Sequence, residues 1–218
     1  MTTPVLNIDF VSDIACPWCA VGLASLQQAM QACAGEIGFQ VHMQPFELNP
    51  DMGPEGEDMV EHLGRKYGST PEQQSQIRAT IAERGAAVGF AFHPGGRGRI
   101  VNTFNAHRLL HWAGLQDEAA QLALKQALLQ AYHGRAERVD HDEVLLTAVE
   151  QAGLDMEQAR EVLASDRYAD EVRQAEVQWQ QAGIRSVPAV VINRQHLISG
   201  GQPPEVFEQA LRQVAAQG

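Results

Sequence analysis

Strand-like patterning in this chain is confined to its two ends, and almost everything between them reads as helix. Val5 to Val11 is a short apolar-rich run bounded by Ser12 and Asp13. Gly38 to Leu48 alternates apolar and polar residues and stops at Asn49-Pro50. The amphipathic stretch Ala20 to Cys33 separates the two, so two strands bracket one helix. Such a βαβ unit crosses over right-handed and leaves its strands parallel. Strand signal returns at Val187 to Asn193 and at His196 to Ser199, across an Asn193-Arg194 turn, and an amphipathic helix from Pro204 to Ala215 follows.

From Asp51 to Gly183 the pattern is helical. Thr70-Pro71-Glu72-Gln73 is a capping box with proline in the first turn, and Gly89 is the matching stop. Thr103 to Ala113 ends at Gly114. Glu118 to His133 is apolar over much of its circumference, which predicts deep burial, and ends at Gly134. Asp140 to Ala152, Asp155 to Ala164 and Asp166 to Ala182 complete the block. With the block removed, a βαβ unit is joined to a ββα unit. That is an α/β, thioredoxin-like layout with a large all-helical insertion: residues 1–50 and 184–218 form the thioredoxin-like domain and 51–183 the insertion domain.

Cys16-Pro17-Trp18-Cys19 stands where the first strand hands over to the first helix. Pro17 suits the first helical position, where its missing N–H has no partner to lose, and this leaves Cys16 at the cap. A sulfur at the cap faces unpaired N–H groups and the positive end of the helix dipole, which favour thiolate. Cys16 is therefore the candidate nucleophile, and Cys19, about one turn further in, the candidate resolving thiol. A zinc half-site needs a second ligand pair, and none is present. Cys33 lies about 21 Å along the same helix from Cys19 at helical rise, so it reads as a small core residue.

The formal net charge of −11 disfavours nucleic acid and anionic membrane surfaces as partners. No apolar run approaches the roughly 20 residues of a membrane span, and Met1 to Asn7 lacks the character of a secretory signal. A cytoplasmic protein is expected, and in a reducing compartment an exposed cysteine pair points to catalysis rather than to structure. The oligomeric state cannot be read from the sequence.

The chain resembles the DsbA-like thioredoxin superfamily, and within it the FrnE-like branch, which is related to 2-hydroxychromene-2-carboxylate isomerases and kappa-class glutathione transferases. Beyond the Cys-Pro-Trp-Cys motif, the resemblance is carried by Pro45-Phe46-Glu47-Leu48-Asn49-Pro50, Asn102-Thr103, Ala106-His107-Arg108-Leu109-Leu110, Ser186-Val187-Pro188 and Gly200-Gly201-Gln202-Pro203-Pro204. It implies a disulfide oxidoreductase acting on protein or small-molecule disulfides. Pro17 and Trp18 would support the site, and Pro188 would be cis and face the cysteines. Val187 would hold the substrate backbone in extended form. No bound cofactor is implied. Glutathione is a candidate co-substrate and a thiol reductant the recycling partner. The isomerase and transferase relatives typically carry serine at the position of Cys16 and activate glutathione with it, so a glutathione-dependent isomerase or transferase is the competing reading; keeping both cysteines argues for redox turnover. DsbA itself has Pro-His between its cysteines, and Pro-Trp here implies a weaker oxidant.

His107 and His111 share one helix face at metal-ligand spacing, but the sequence brings no third ligand to them, and no metal site is expected. His107, Asn102 and Thr103 are instead candidate substrate contacts. Glu47, also a candidate contact, is either a proton acceptor near Cys19 or a solvated strand-end carboxylate, and Asp13 carries the same ambiguity. Gly95-Gly96-Arg97-Gly98-Arg99 reads as a flexible connector, with contact to an acidic substrate as its alternative.

Overall fold

The computed structural model describes residues 3–217; Met1, Thr2 and Gly218, at the outer ends of the expected thioredoxin-like segments, lie outside the described residues. Strand β1 (Val5–Ser12) is central. It pairs in parallel with β2 (Gly38–Pro45), Val5 opposite Gly38 through Ser12 opposite Pro45. On its other side it runs antiparallel to β5 (Ala189–Ile192), which in turn pairs antiparallel with β6 (His196–Ser199), so the sheet order is β2-β1-β5-β6. The hairpin turn places Asn193 and Arg194 at φ of 51° and 55°, the left-handed pair that a two-residue connection requires. Asn193 tolerates this conformation, and its side chain accepts the Asn7 N–H at 3.0 Å.

Helix α1 (Pro17–Ala32) is the crossover, and the last helix, α9 (Pro204–Ala215), packs beside it. The inserted elements are α2 (Met59–Tyr67), α3 (Pro71–Ala87), α4 (Phe104–Gly114), α5 (Glu118–Leu129), α6 (Asp142–Gln151), α7 (Met156–Leu163) and α8 (Ala169–Gln181). A two-residue ladder joins β3 (Glu57–Asp58) to β4 (Arg99–Ile100). The Thr70 capping box forms with both reciprocal bonds.

Several boundaries differ from the sequence reading. β2 stops at Pro45, which has no N–H to continue the ladder, and Phe46 to Leu48 is loop. The helix expected to run to His133 loses α geometry at Leu129 and widens into a π turn over Gln130–Gly134. α6 begins two residues late, because the Asp140 carboxylate takes the Arg138 guanidinium instead of capping the helix. α2 and the β3–β4 ladder have no counterpart in the sequence reading.

The insertion packs on the β2 side of the sheet through α4, α5 and α8. β2 is an edge strand, and its free backbone needs partners. Gln121 of α5 supplies them, accepting the Met43 N–H at 2.9 Å and donating to the Met43 carbonyl at 3.3 Å. One hydrophobic cluster runs without a break from Ile8 and Phe10 of β1 and Leu26 of α1 to Leu109, Leu128 and Val149 of the block. Sheet and insertion therefore share a core.

Candidate active site

Cys16 caps α1 in extended geometry, with Pro17 in the first turn. The turn before it closes by a Cys16 N–H to Asp13 carbonyl bond of 3.2 Å, and the first helical turn by Cys19 N–H to Cys16 carbonyl at 3.1 Å. Cys16 is 5% exposed and Cys19 fully buried, so Cys16 alone of the pair has a path to solvent. All three cysteines are free thiols. The Cys19 thiol hydrogen-bonds the Cys16 sulfur. With the Cys19 N–H and the Arg97 guanidinium, it holds Cys16 below the ordinary thiol value against burial and the Asp13 carboxylate. Burial and the Cys16 sulfur push Cys19 well above that value, and Lys125 pulls the other way. One thiol is thus prepared to ionise and its partner to stay protonated.

The Val187–Pro188 peptide is cis, and the Cys16 thiol donates to the Val187 carbonyl at 3.5 Å. This turn is held close to α1 because two glycines leave it room. A Cβ on Gly22 would meet Pro188 Cγ at 3.0 Å, and one on Gly201 would meet the Trp18 carbonyl oxygen at 3.0 Å. Trp18 is half-buried beside the pair. From the insertion, Arg84 donates to the Gly201 carbonyl at 3.1 Å.

Beneath the cysteine turn lies Asp13, fully buried. Its Oδ1 accepts from the Ala15 N–H at 3.0 Å, the Thr103 hydroxyl at 2.8 Å and His107 Nε2 at 3.4 Å, and its Oδ2 accepts from the Leu48 N–H at 2.7 Å. Burial alone would raise this carboxyl, but His107 and the two N–H groups outweigh it and hold Asp13 below the usual carboxylate value. Thr103 and His107 are thus corrected from groove contacts to buried donors that fix Asp13. Asn102 is likewise engaged internally, donating to the Met52 carbonyl at 3.0 Å and accepting the Phe104 N–H at 2.9 Å.

Glu47 corrects one of the two alternatives open to it, the solvated strand-end carboxylate. It is not solvated: its side chain is 2% exposed and paired with Arg173 of α8, which also donates to Glu176 at 2.9 Å. Burial and the adjacent Glu176 raise Glu47 to about 7 against the pull of Arg173.

His111 stacks on Tyr168 with ring centroids 5.3 Å apart, while His107 faces Asp13, so the pair does not converge on one ligand. Among the described residues, no three His, Cys, Asp or Glu side chains are placed to hold a metal ion. A cavity of about 330 Å³ opens at the β2 edge between Asp9, His42, Gln44, His107, His111 and Arg194. No cysteine lines it.

Arg97, named in the sequence reading only within a connector, and His133 and Lys125, which it did not single out, lie near the thiols. Arg97, in the expected flexible connector, lies over the Tyr132 ring at 5.3 Å and 3.5 Å from His133 Nδ1, and its charge reaches Cys16. His133, on the π turn, bonds the Ile14 carbonyl through Nε2 at 2.8 Å, and burial keeps it neutral. Lys125 of α5 is fully buried, and its Nζ has no hydrogen-bond partner.

A sheet of this order, a cysteine pair at the start of α1 and a facing cis-proline turn define a thioredoxin-fold thiol site. The chain belongs to the family of DSBA-like thioredoxin domains, whose model matches residues 7–212. It is similar to the crystal structure of a probable DsbA oxidoreductase from Streptomyces coelicolor, with 35% identity and a TM-score of 0.89 over 98% of this chain and 91% of that one. It is also similar in fold to a 2-hydroxychromene-2-carboxylate isomerase, with 14% identity and a TM-score of 0.71 over 97% of each chain. An uncharacterized protein of Bacillus subtilis, YwbO, is 26% identical over 94% of this chain and 96% of its own length. The described residues contain no helix long and apolar enough to cross a membrane.

Proposed function

We propose that this chain is a thiol-disulfide oxidoreductase cycling Cys16 and Cys19 between dithiol and disulfide on protein or small-molecule disulfides. The fold alone does not choose, since an isomerase shares it. The observation that carries the reading is the asymmetry of the pair, an accessible low thiol at the helix cap against the Val187 carbonyl and a buried high thiol one turn behind it.

Cys16 thiolate attacks one sulfur of the substrate disulfide, and the other leaves as a thiolate that takes a proton from water. Cys19 then attacks Cys16 Sγ, closing the Cys16–Cys19 disulfide and releasing the second substrate thiol. A thiol reductant, with glutathione the candidate co-substrate, returns the pair to the dithiol. The backbone at Val187 receives the substrate as an added extended strand, with Trp18 beside the pair and the exposed Tyr67 near enough that, besides partial desolvation, the Cys16 charge raises its phenol. Three cysteines without a disulfide framework favour a cytoplasmic setting, where such a reductant is abundant.

The test is turnover of a peptide disulfide by wild type, Cys16→Ser and Cys19→Ser. Cys16→Ser is expected to abolish turnover, and Cys19→Ser to accumulate a mixed disulfide visible by mass spectrometry without reductant. Full turnover by Cys19→Ser would overturn the reading in favour of glutathione activation at a single thiol. Alkylation under denaturant-free conditions should label Cys16 at least about tenfold faster than Cys19.

A further inference from the structure

The resolving step asks a buried, high thiol to ionise, and the turn around it offers few bases. Asp13 is saturated by four donors, and Glu47 is committed to Arg173. Of the other buried ionisable groups at the turn, His107 is engaged by Asp13 and His133 by the Ile14 carbonyl, whereas Lys125 has no hydrogen-bond partner. Gln121, Lys125 and His133 lie along one side of α5 and its continuation. Eight residues of pure α-helix would leave His133 about 80° out of line with Lys125, and the wider π turn, closed by the Arg135 N–H to Gln130 carbonyl bond of 2.9 Å, removes most of that offset. One end of this line is fixed to β2 at Met43 and the other to Ile14, two residues before Cys16. Lys125 lies on the same side between these anchors, and the charges of Cys19, Asp13 and Cys16 reach it. Its side chain has 0% exposure and its Nζ no hydrogen-bond partner, an expensive place for an ammonium unless a negative charge forms beside it.

We propose that Lys125 is the general base of the resolving step, taking the Cys19 proton as Cys19 attacks and releasing it once the disulfide has closed. This rests on the thiol-exchange reading above. The neutral amine becomes ammonium as Cys19 becomes thiolate; the thiolate forms the S–S bond to Cys16 and expels the substrate thiolate, which is protonated by solvent. With no thiolate left to hold it, the buried ammonium returns its proton to water. The titratable groups whose charges reach Lys125 are Cys19, Cys16 and Asp13 from the turn and α1, and His133 from the π turn; His107 of α4 is bonded to Asp13, and Arg97 lies beside His133. β2 and α6, which pack against α5, contribute apolar core residues such as Met43, Leu145 and Val149. Burial lowers Lys125 to about 8 while Cys19, Asp13 and Cys16 draw it back up, which leaves the amine accessible near neutrality. Lys125 is also the strongest influence favouring the Cys19 thiolate.

Lys66 and Lys125 are the only lysines in the chain, so the proposal can be read on the intact wild-type protein. With lysine-selective isotope labelling, the Lys125 side chain should titrate at lower pH in the disulfide than in the dithiol, while the exposed Lys66 titrates alike in both. Identical titration of Lys125 in the two states would overturn the proposal. Kinetically, a chromogenic aryl disulfide releases one aryl thiolate when Cys16 attacks and a second when Cys19 resolves. Lys125→Met fills the same space without the charge. It is expected to slow the second phase roughly tenfold or more at neutral pH, to make that phase climb with rising pH, and to change the first far less. A second phase unchanged in rate and pH profile, or two phases slowed equally, would reject it. Should wild type show no second phase, the thiol-exchange reading itself fails and the proposal with it; should Lys125→Met not fold, the wild-type titrations decide.

Discussion

Two buried carboxylates sit a short way apart at the end of the sheet, and their surroundings drive them in opposite directions. Asp13, under the cysteine turn, collects four donors and is held low. Glu47, beyond the end of β2, has one guanidinium shared with a second buried carboxylate, leaves Oε1 without a partner and rises to about 7. Burial penalises the charge at each site; the number of donors decides whether that penalty is overcome. The donors of Asp13 come from β1–α1, the end of β2 and α4, so its charge ties three segments together. Glu47 ties only two.

The sharpest way to break this contrast is Asp13→Ala, which strands two N–H groups, the Thr103 hydroxyl and His107. It should cost about 3–5 kcal/mol in denaturant unfolding. A loss below about 1 kcal/mol would show that the donors find other partners. Next is the pH dependence. Glu47 is raised on folding from 4.5 to about 7, so the native state holds its proton more tightly, and stability should fall as pH rises from 4.5 through 7, by on the order of 1–3 kcal/mol. Asp13 is lowered, so its contribution is present above its ordinary 3.8 and is lost as pH drops below it. Glu47→Gln should flatten only the first slope; if the slope persists, another group causes it. Thr103→Val, which keeps shape and removes one donor from Asp13, should cost about 1–2 kcal/mol by the same unfolding measurement. Smallest is Glu47→Gln at pH 8, where losing the ion pair and relieving the repulsion with Glu176 offset each other to within about 1 kcal/mol. A loss as large as that of Asp13→Ala would erase the distinction.

Much of this architecture was legible because it is written in local pattern. Alternation marked β1 and β2, the Thr70 box marked α3, and the spacing and position of Cys16 and Cys19 marked the thiol site. α2 escaped because it is short and polar, with only Met59 and His62 buried, and its Asp58 cap follows a glycine-rich turn rather than an apolar run. The environment of the thiols escaped because it is non-local. Asp13 meets Thr103 ninety residues on, and Glu47 meets Arg173 at a separation of 126. Lys125 did leave a trace, a lone cation in a helix apolar nearly all round, set four residues after Gln121 and flanked by Leu124 and Leu128. A charge that interrupts an otherwise buried surface asks what it is buried against. Arg97 left an ambiguous one, since a glycine-rich basic stretch reads the same whether it is loose or folded onto a site.

The stitching of the insertion to the sheet has a consequence for motion. Arg84 holds the Gly201 carbonyl, Gln28 of α1 donates to the Val88 carbonyl at 3.2 Å, Gln121 holds Met43, and His133 holds Ile14. These ties run from α3 to the π turn, and Leu109, Leu128 and Val149 of the block share one hydrophobic cluster with β1 and α1. Swinging the helices away from the cysteines would break them together and expose Leu109 and Leu128 at the same time. The block therefore behaves as a fixed jaw rather than a lid. A substrate must arrive with its disulfide already on a flexible or protruding segment, and a change of preference among substrates would come from single exchanges at positions near the thiols such as Trp18 and Tyr67, with the hinge-bending route closed.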